Sequence, residues 1–370
     1  MKRGRQAKRR DRLSSSAYRE AVLKRAAESL LGATVSSVEY PGGRSRESYR
    51  LGLADGRTLI ATRRATLDLA RREAAILAAL GRHGVPAPAL LGDNGAQILL
   101  QEELAGVRLS RALADADGRP ARVEALLDSA LGALAEAHAA GSAEGLERRV
   151  ATLGETEPWR RRLVERPAAL GRHLEVPAPA FDERAVIERI AVRTPRFVKW
   201  DARPGNALVD ERSRVHWFDW EHAGARNRLD DLAWALGDEF VPDDPDVEAR
   251  LLERHLPRFA DGLDEIDARD YLATYGTLHV AVRLGLILKH VDDAWWDLDR
   301  CIAEDRIGVT LGCALRLCAR GARWAAAGRH TGPLSAWFEA LVPRLRELVP
   351  TDGKSGEEGA GSGAASGHGA

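Results

Sequence analysis

The 370-residue chain is predicted to be an α+β protein of two lobes, a small β-rich N-lobe followed by a larger, mainly helical C-lobe. Three observations carry this expectation. Residues 35 to 61 alternate apolar and polar side chains between turn sequences, the mark of half-buried strands. The apolar run Gln97 to Gln101 gives way to the polar crossing Glu102-Glu103-Leu104-Ala105-Gly106. Beyond Leu109 the apolar spacing turns helical, as in Val123, Leu126, Leu127, Ala130, Leu131 and Leu134. The expected division is a basic disordered arm over residues 1–16, an N-lobe over 17–103, a helical lobe over 104–350 and a Gly/Ser/Ala tail over 351–370.

Taken in order, residues 17 to 31 place Val22, Ala26, Leu30 and Leu31 at helical spacing. Val35 to Tyr40, Tyr49 to Leu53 and Leu59 to Ala61 then read as a three-stranded meander, broken at Pro41-Gly42-Gly43 and turned at Ala54-Asp55-Gly56. Gly42 and Gly43 carry no side chain, which suits a loop whose backbone amides approach phosphates. In the next helix, with Asp68 as the expected N-cap, Glu73 falls within the apolar stripe of Leu69, Ile76, Leu77 and Leu80. A carboxylate there needs a cationic partner. Arg63 and Arg64, at the end of the third strand, are the candidates; the spacing does not choose between them, and Arg63 is carried forward with Glu73 in the nucleotide-contacting set. Glu102 and Leu104 of the crossing segment are placed where backbone groups would meet a nucleotide base. His138, one turn beyond the long amphipathic helix, is expected to be a packing residue, and residues 141 to 192 carry no recognisable chemistry.

Function is concentrated in Val198 to Glu221, "VKWDARPGNALVDERSRVHWFDWE". A short apolar run delivers Asp201 into a loop, Ala202 to Gly205 turn the chain towards Asn206, and a hairpin ends at Asp219. An Asp, an Asn five residues on and a second Asp after the next apolar run are what in-line phosphoryl transfer requires. One carboxylate meets the incoming hydroxyl, while an amide and a second carboxylate hold the metal at the nucleotide phosphates.

This core resembles the aminoglycoside phosphotransferase family of small-molecule kinases, which are related to choline kinases. That family usually shows His-Gly-Asp, then Asn five residues past the Asp, then Asp-Trp-Glu. Here "FDWE", Asp201, Pro204, Gly205 and Asn206 match, with weaker likeness at "REAAILAAL" from Arg72 and at Asp231-Leu232-Ala233. The resemblance implies a protein-kinase-like fold, ATP and Mg2+ as cofactors, Asp201 as catalytic base, Asn206 and Asp219 as metal ligands, and a small-molecule hydroxyl acceptor. Three positions depart from the pattern. Lys199-Trp200 replace the usual His-Gly, Arg203 stands where a second His is common, and no Lys lies on the third strand. Lys199 and Arg203 add charge beside Asp201 or contact phosphate or an acidic acceptor group, and Glu221 is either an acceptor contact, a support for the metal ligands or a brace for the loop; the three are set down as acceptor contacts, and Asp231 as a helix cap. The departures also motivate an alternative, a nucleotide-binding pseudokinase or regulatory binding protein without catalysis.

Composition narrows the partners. The formal net charge is zero, so no global field draws the chain to nucleic acid or anionic membrane. No apolar run reaches the roughly 18–20 residues of a membrane span, and a cytoplasmic location is expected. Cys301, Cys313 and Cys318 fit neither a zinc site nor a disulfide framework and are expected in the core. Between Asp219 and Asp305, roughly two dozen acids face about nine basic residues. These acids either form a cleft that would concentrate a cationic acceptor or are solvated helix faces and N-caps. Trp295-Trp296, beside Asp292-Asp293, either pack in the core or wall such a pocket. Oligomeric state is not legible.

Overall fold

The computed structural model describes residues 18–41, 47–291, 294–304 and 307–348. The basic arm, Gly42, Gly43, Asp292-Asp293 and the Gly/Ser/Ala tail lie outside the described residues.

The N-lobe is a five-stranded antiparallel sheet of β1 (Val35–Glu39), β2 (Ser48–Leu53), β3 (Thr58–Arg63), β4 (Leu90–Asp93) and β5 (Ile98–Glu102), in the order β1-β2-β3-β5-β4. Side chains alternate faces along a strand. Tyr49, Leu51 and Leu53 of β2, Leu59 and Ala61 of β3, and Ile98 and Leu100 of β5 therefore share a face. Leu23 and Ala27 of the helix over residues 18–31 pack against them. Leu99 points the other way, onto Ala70 and Ala74 of the helix Leu67–Arg82. Between β2 and β3 the chain turns at Gly56, whose φ of +87° suits glycine alone. The helix Leu67–Arg82 is capped by Thr66, whose hydroxyl accepts the Leu69 N–H at 3.2 Å. Asp68, the expected cap, lies in the first turn and pairs with Arg72 instead. Strand β4, in the stretch after the Pro-rich segment, was not legible as a strand.

The crossing segment leads into β6 (Val107–Arg108), which pairs with β8 (Ala207–Val209), itself paired with β9 (Val215–Trp217). Gly106 makes this junction possible, since a Cβ there would sit 2.4 Å from the Val209 carbonyl oxygen. A second pair joins β7 (Arg196–Val198) to β10 (Gly224–Arg226). The loop carrying Asp201 and Asn206 thus runs from β7 to β8, and the Asp219 turn lies between β9 and β10.

The helical lobe packs around the helices Pro120–Ala143 and Glu265–Leu288, and all three cysteines are buried and free. The second of these helices corrects the expectation that no stretch approaches a membrane span: its length and mean hydropathy of 1.3 are sufficient. It is a core helix, with 83% of its apolar window buried within the protein. Trp295 packs against the main core, while Trp296 stacks with Arg300 at 4.1 Å, in keeping with a packing role for the pair.

His279, on Glu265–Leu288, is wedged against Trp234 with ring centroids 4.4 Å apart. Burial, reinforced by Arg283, pushes its pKa down to about 3, against Glu239, from an ordinary value of 6.5. Its depressed folded pKa makes a stabilising contribution that is complete above pH 6.5 and is lost as pH falls towards 3. The stability advantage of wild type over His279→Phe is therefore expected to shrink below pH 6.5, by up to about 1.4 kcal/mol per pH unit. Thermal melts of both proteins between pH 7 and 4 check this, and a constant difference would refute it.

Candidate active site

The loop after β7 carries two successive non-glycine residues in the left-handed region, Trp200 with φ +51° and Asp201 with φ +54°. Side chains seldom adopt this conformation without support. Asp231 supplies it. Its carboxylate accepts the backbone N–H groups of Lys199 at 2.7 Å and Trp200 at 2.8 Å, and contacts His138 Nε2 at 2.8 Å. The cap position of Leu229–Leu236 is Arg228, which makes no side-chain cap, so Asp231 braces the loop instead of capping its helix. His138 is buried, edge-on to Phe259, and completes the brace.

Asn206 donates from Nδ2 to the Asp201 carbonyl at 3.0 Å and to Asp201 Oδ2 at 2.7 Å. This use of the amide nitrogen leaves its oxygen for another partner. Asp219 follows β9 with φ +59°. Its Oδ1 lies 3.1 Å from Arg64 Nη2.

Arg64 is the hub of the N-lobe side. It grips Glu73 with Nε–Oε2 at 2.5 Å and Nη2–Oε1 at 2.7 Å, and reaches Glu221 Oε2 at 2.9 Å through Nη1. Glu73 is 1% exposed and Arg64 8%, so this is a buried pair. Burial opposes the guanidinium charge, but Glu73, Asp219 and Glu221 outweigh it and raise its pKa. Arg63 contacts Gln97 at 3.3 Å on the half-exposed side. Its assignment beside Glu73 is corrected to Arg64, because neighbouring residues along an extended chain point to opposite faces. Arg64 also supplies the cation that the missing strand Lys left open.

The three acceptor candidates separate. Lys199 is completely buried. Its Nζ donates to the Asp219 carbonyl at 2.9 Å beneath the indoles of Trp217 and Trp220, so it does not reach an acceptor. Burial lowers its pKa despite Asp219, Asp201 and Asp231 nearby. Glu221 is held by Arg64, and burial keeps its carboxyl pKa above the ordinary value. Of the three, only Arg203 pairs with Asp201, its Nε 3.6 Å from Asp201 Oδ1.

Between the lobes is a cavity of about 230 Å³. Its apolar walls are Ile60, Pro88, Leu104, Leu208 and Phe218, and its polar side carries Glu102, Arg64, Asn206 and Asp219. This shape offers a slot for a flat base and a charged end for phosphates. The donor set suits a hard cation: one carboxylate, kept ionised, and one amide oxygen. Burial resists ionisation of Asp219, but Arg64, Lys199 and His222 overcome it and its pKa is lowered. Among the described residues no group of three or more His, Cys, Asp or Glu forms a protein-only cage.

Apart from Asp219, no acid of the Asp219–Asp305 stretch lines this cavity, and many are paired elsewhere. Asp243 and Glu248 pair with Arg323 at 3.0 and 2.6 Å, Asp270 with Arg189 at 2.7 Å and Glu239 with Arg283 at 2.6 Å. Asp244, Asp264 and Asp297 cap helices. Most partnering arginines lie outside Asp219–Asp305, so of the two readings of this surplus the structure matches paired helix faces and N-caps.

The two lobes and the cleft between them are those of a kinase-like phosphotransferase whose acceptor is an alcohol group of a small molecule. The chain belongs to the phosphotransferase enzyme family (APH), whose profile matches residues 37–271. Among solved structures it is similar to a provisionally named aminoglycoside phosphotransferase from Ralstonia eutropha. The two are 17% identical with a TM-score of 0.53, over 89% of this chain and 98% of that one. Choline kinase LicA from Streptococcus pneumoniae is 14% identical over 89% and 99% of the two chains, with a TM-score of 0.43. The amicoumacin kinase hAmiN, solved in complex with AMP-PNP, Ca2+ and Ami, is 15% identical over 79% and 94%, with a TM-score of 0.49. A search of curated proteins returns no significant match.

Proposed function

We propose that the protein transfers the γ-phosphoryl group of ATP to a hydroxyl of a small molecule by in-line displacement. Asp201 is the base, Asn206 and Asp219 hold magnesium, Arg64 fixed by Glu73 meets the nucleotide phosphates, and Glu102 and Leu104 border the base. The observation that carries this proposal is the cleft itself, which gathers Arg64, Asn206 and Asp219 at one end of an apolar slot.

The acceptor oxygen attacks phosphorus as the bond to the ADP oxygen breaks, and the hydroxyl proton passes to the Asp201 carboxylate. Asn206 fixes that carboxylate through Oδ2, so the base is oriented before the acceptor arrives. Bound magnesium supplies charge neutralisation at the phosphates. Arg203 lies close enough to the base to meet either a phosphoryl oxygen or a polar group of the acceptor. With the helical-lobe acids engaged internally, a cationic acceptor rests on the family resemblance alone.

The test is magnesium-dependent ADP release from ATP against aminoglycosides, basic peptide antibiotics, choline, homoserine and sugars. Turnover with one of these classes is expected. Tight nucleotide binding without ADP release across the panel would instead favour a pseudokinase, and absence of both would remove the proposal.

A further inference from the structure

Lys199 is the one charged side chain of the catalytic loop that solvent, nucleotide and acceptor cannot touch, yet it bridges the two parts of the site. Its backbone N–H is held by Asp231, in the brace that sets Trp200 and Asp201. Its side chain crosses to the other loop, where Nζ donates to the main-chain oxygen of Asp219 at 2.9 Å. The indoles of Trp220 and Trp217, 5.1 and 5.8 Å from Nζ, close over the stem and leave the amine directed at that carbonyl.

Asp219 needs such a hold. It is a non-glycine residue with φ +59°, a conformation that an L side chain adopts at a cost. Arg64 holds its carboxylate from the N-lobe, while Lys199 holds its carbonyl from the helical lobe. Without the second tie, the peptide is free to rotate into an ordinary conformation, turning the carboxylate away from Asn206.

We infer that Lys199 is a positioning residue for the metal ligand Asp219, acting as a neutral-or-charged hydrogen-bond donor to its backbone, so that the metal-dependent part of nucleotide binding depends on it. This rests on the proposed metal–nucleotide site. Outer partners that orient a metal ligand typically contribute about 10–100-fold to metal affinity.

The experiment is calorimetric titration of ADP into the full chain with excess magnesium and, separately, with EDTA. Lys199→Met keeps the length of the stem and packs between the indoles but donates nothing. Lys199→Gln donates through an amide. In wild type, magnesium is expected to tighten ADP binding. In Lys199→Met that gain is expected to fall about tenfold or more, while metal-free ADP affinity stays within about twofold; Lys199→Gln recovers part of the gain. A Lys199→Met protein that keeps the full magnesium gain, or loses affinity equally with and without magnesium, overturns the inference. If Lys199→Met does not fold, Lys199→Gln decides: no magnesium gain despite a retained donor overturns it, and a partial gain supports it. Should wild type show no magnesium gain, it is the proposed function that fails.

Discussion

Replacing Asp201 with Asn is expected to lower kcat for phosphoryl transfer by about 10²–10⁴-fold, the usual contribution of a positioned base. Nucleotide affinity should remain within a few-fold. Asn is the informative choice because Asp201 has φ +54°, which Asn tolerates better than Ala does. The replacement amide keeps an oxygen able to accept from Asn206 Nδ2, so the loop geometry survives while the proton acceptor disappears. Steady-state kinetics with the acceptor found in the panel, together with ADP titration, separate the two effects. A kcat within tenfold of wild type would show that another group takes the proton.

The largest effect on stability is expected at Arg64. Removing one partner of a buried ion pair leaves the other charged and desolvated, at a cost of about 3–5 kcal/mol. Arg64→Ala does this to Glu73, and also frees Asp219 and Glu221 from their shared cation. The same cost is expected for Glu73→Ala. The double variant Arg64→Met/Glu73→Leu removes both charges and replaces them with apolar volume, so much of the stability should return. Nucleotide binding should not return, because the phosphates have lost their cation. Denaturant unfolding and ADP titration on the four proteins test both halves. If the double variant binds ADP normally, Arg64 has no part in the site.

Local signals told most of the fold. The alternation in β2 and β3 and the helical spacing around Leu126 depend on neighbours in sequence, and the lobes follow from them. Glu73 was conspicuous because a carboxylate in an apolar stripe demands a partner. The choice between Arg63 and Arg64 was invisible, since it depends on the face each occupies where β3 ends. Asp231 looked like a helix cap because capping is what an Asp at a helix start normally does; its true partners, Lys199, Trp200 and His138, lie 32, 31 and 93 residues away. Lys199 looked like a contact for a ligand because sequence shows charge and not depth. The acidic surplus left two readings open for a similar reason, its compensating arginines arriving largely from elsewhere in the chain.

The substitution of Arg64 for a strand lysine alters how the protein can be detected as well as how it binds. Reagents that acylate an amine at the phosphate end of a nucleotide pocket need a nucleophilic lysine, and a guanidinium stays protonated at any pH a protein survives. The chain has six lysines, and among the described residues the one beside the cleft, Lys199, is shut beneath two indoles. Chemical profiling with lysine-directed ATP mimics will therefore pass this kinase over, even where it is abundant and active.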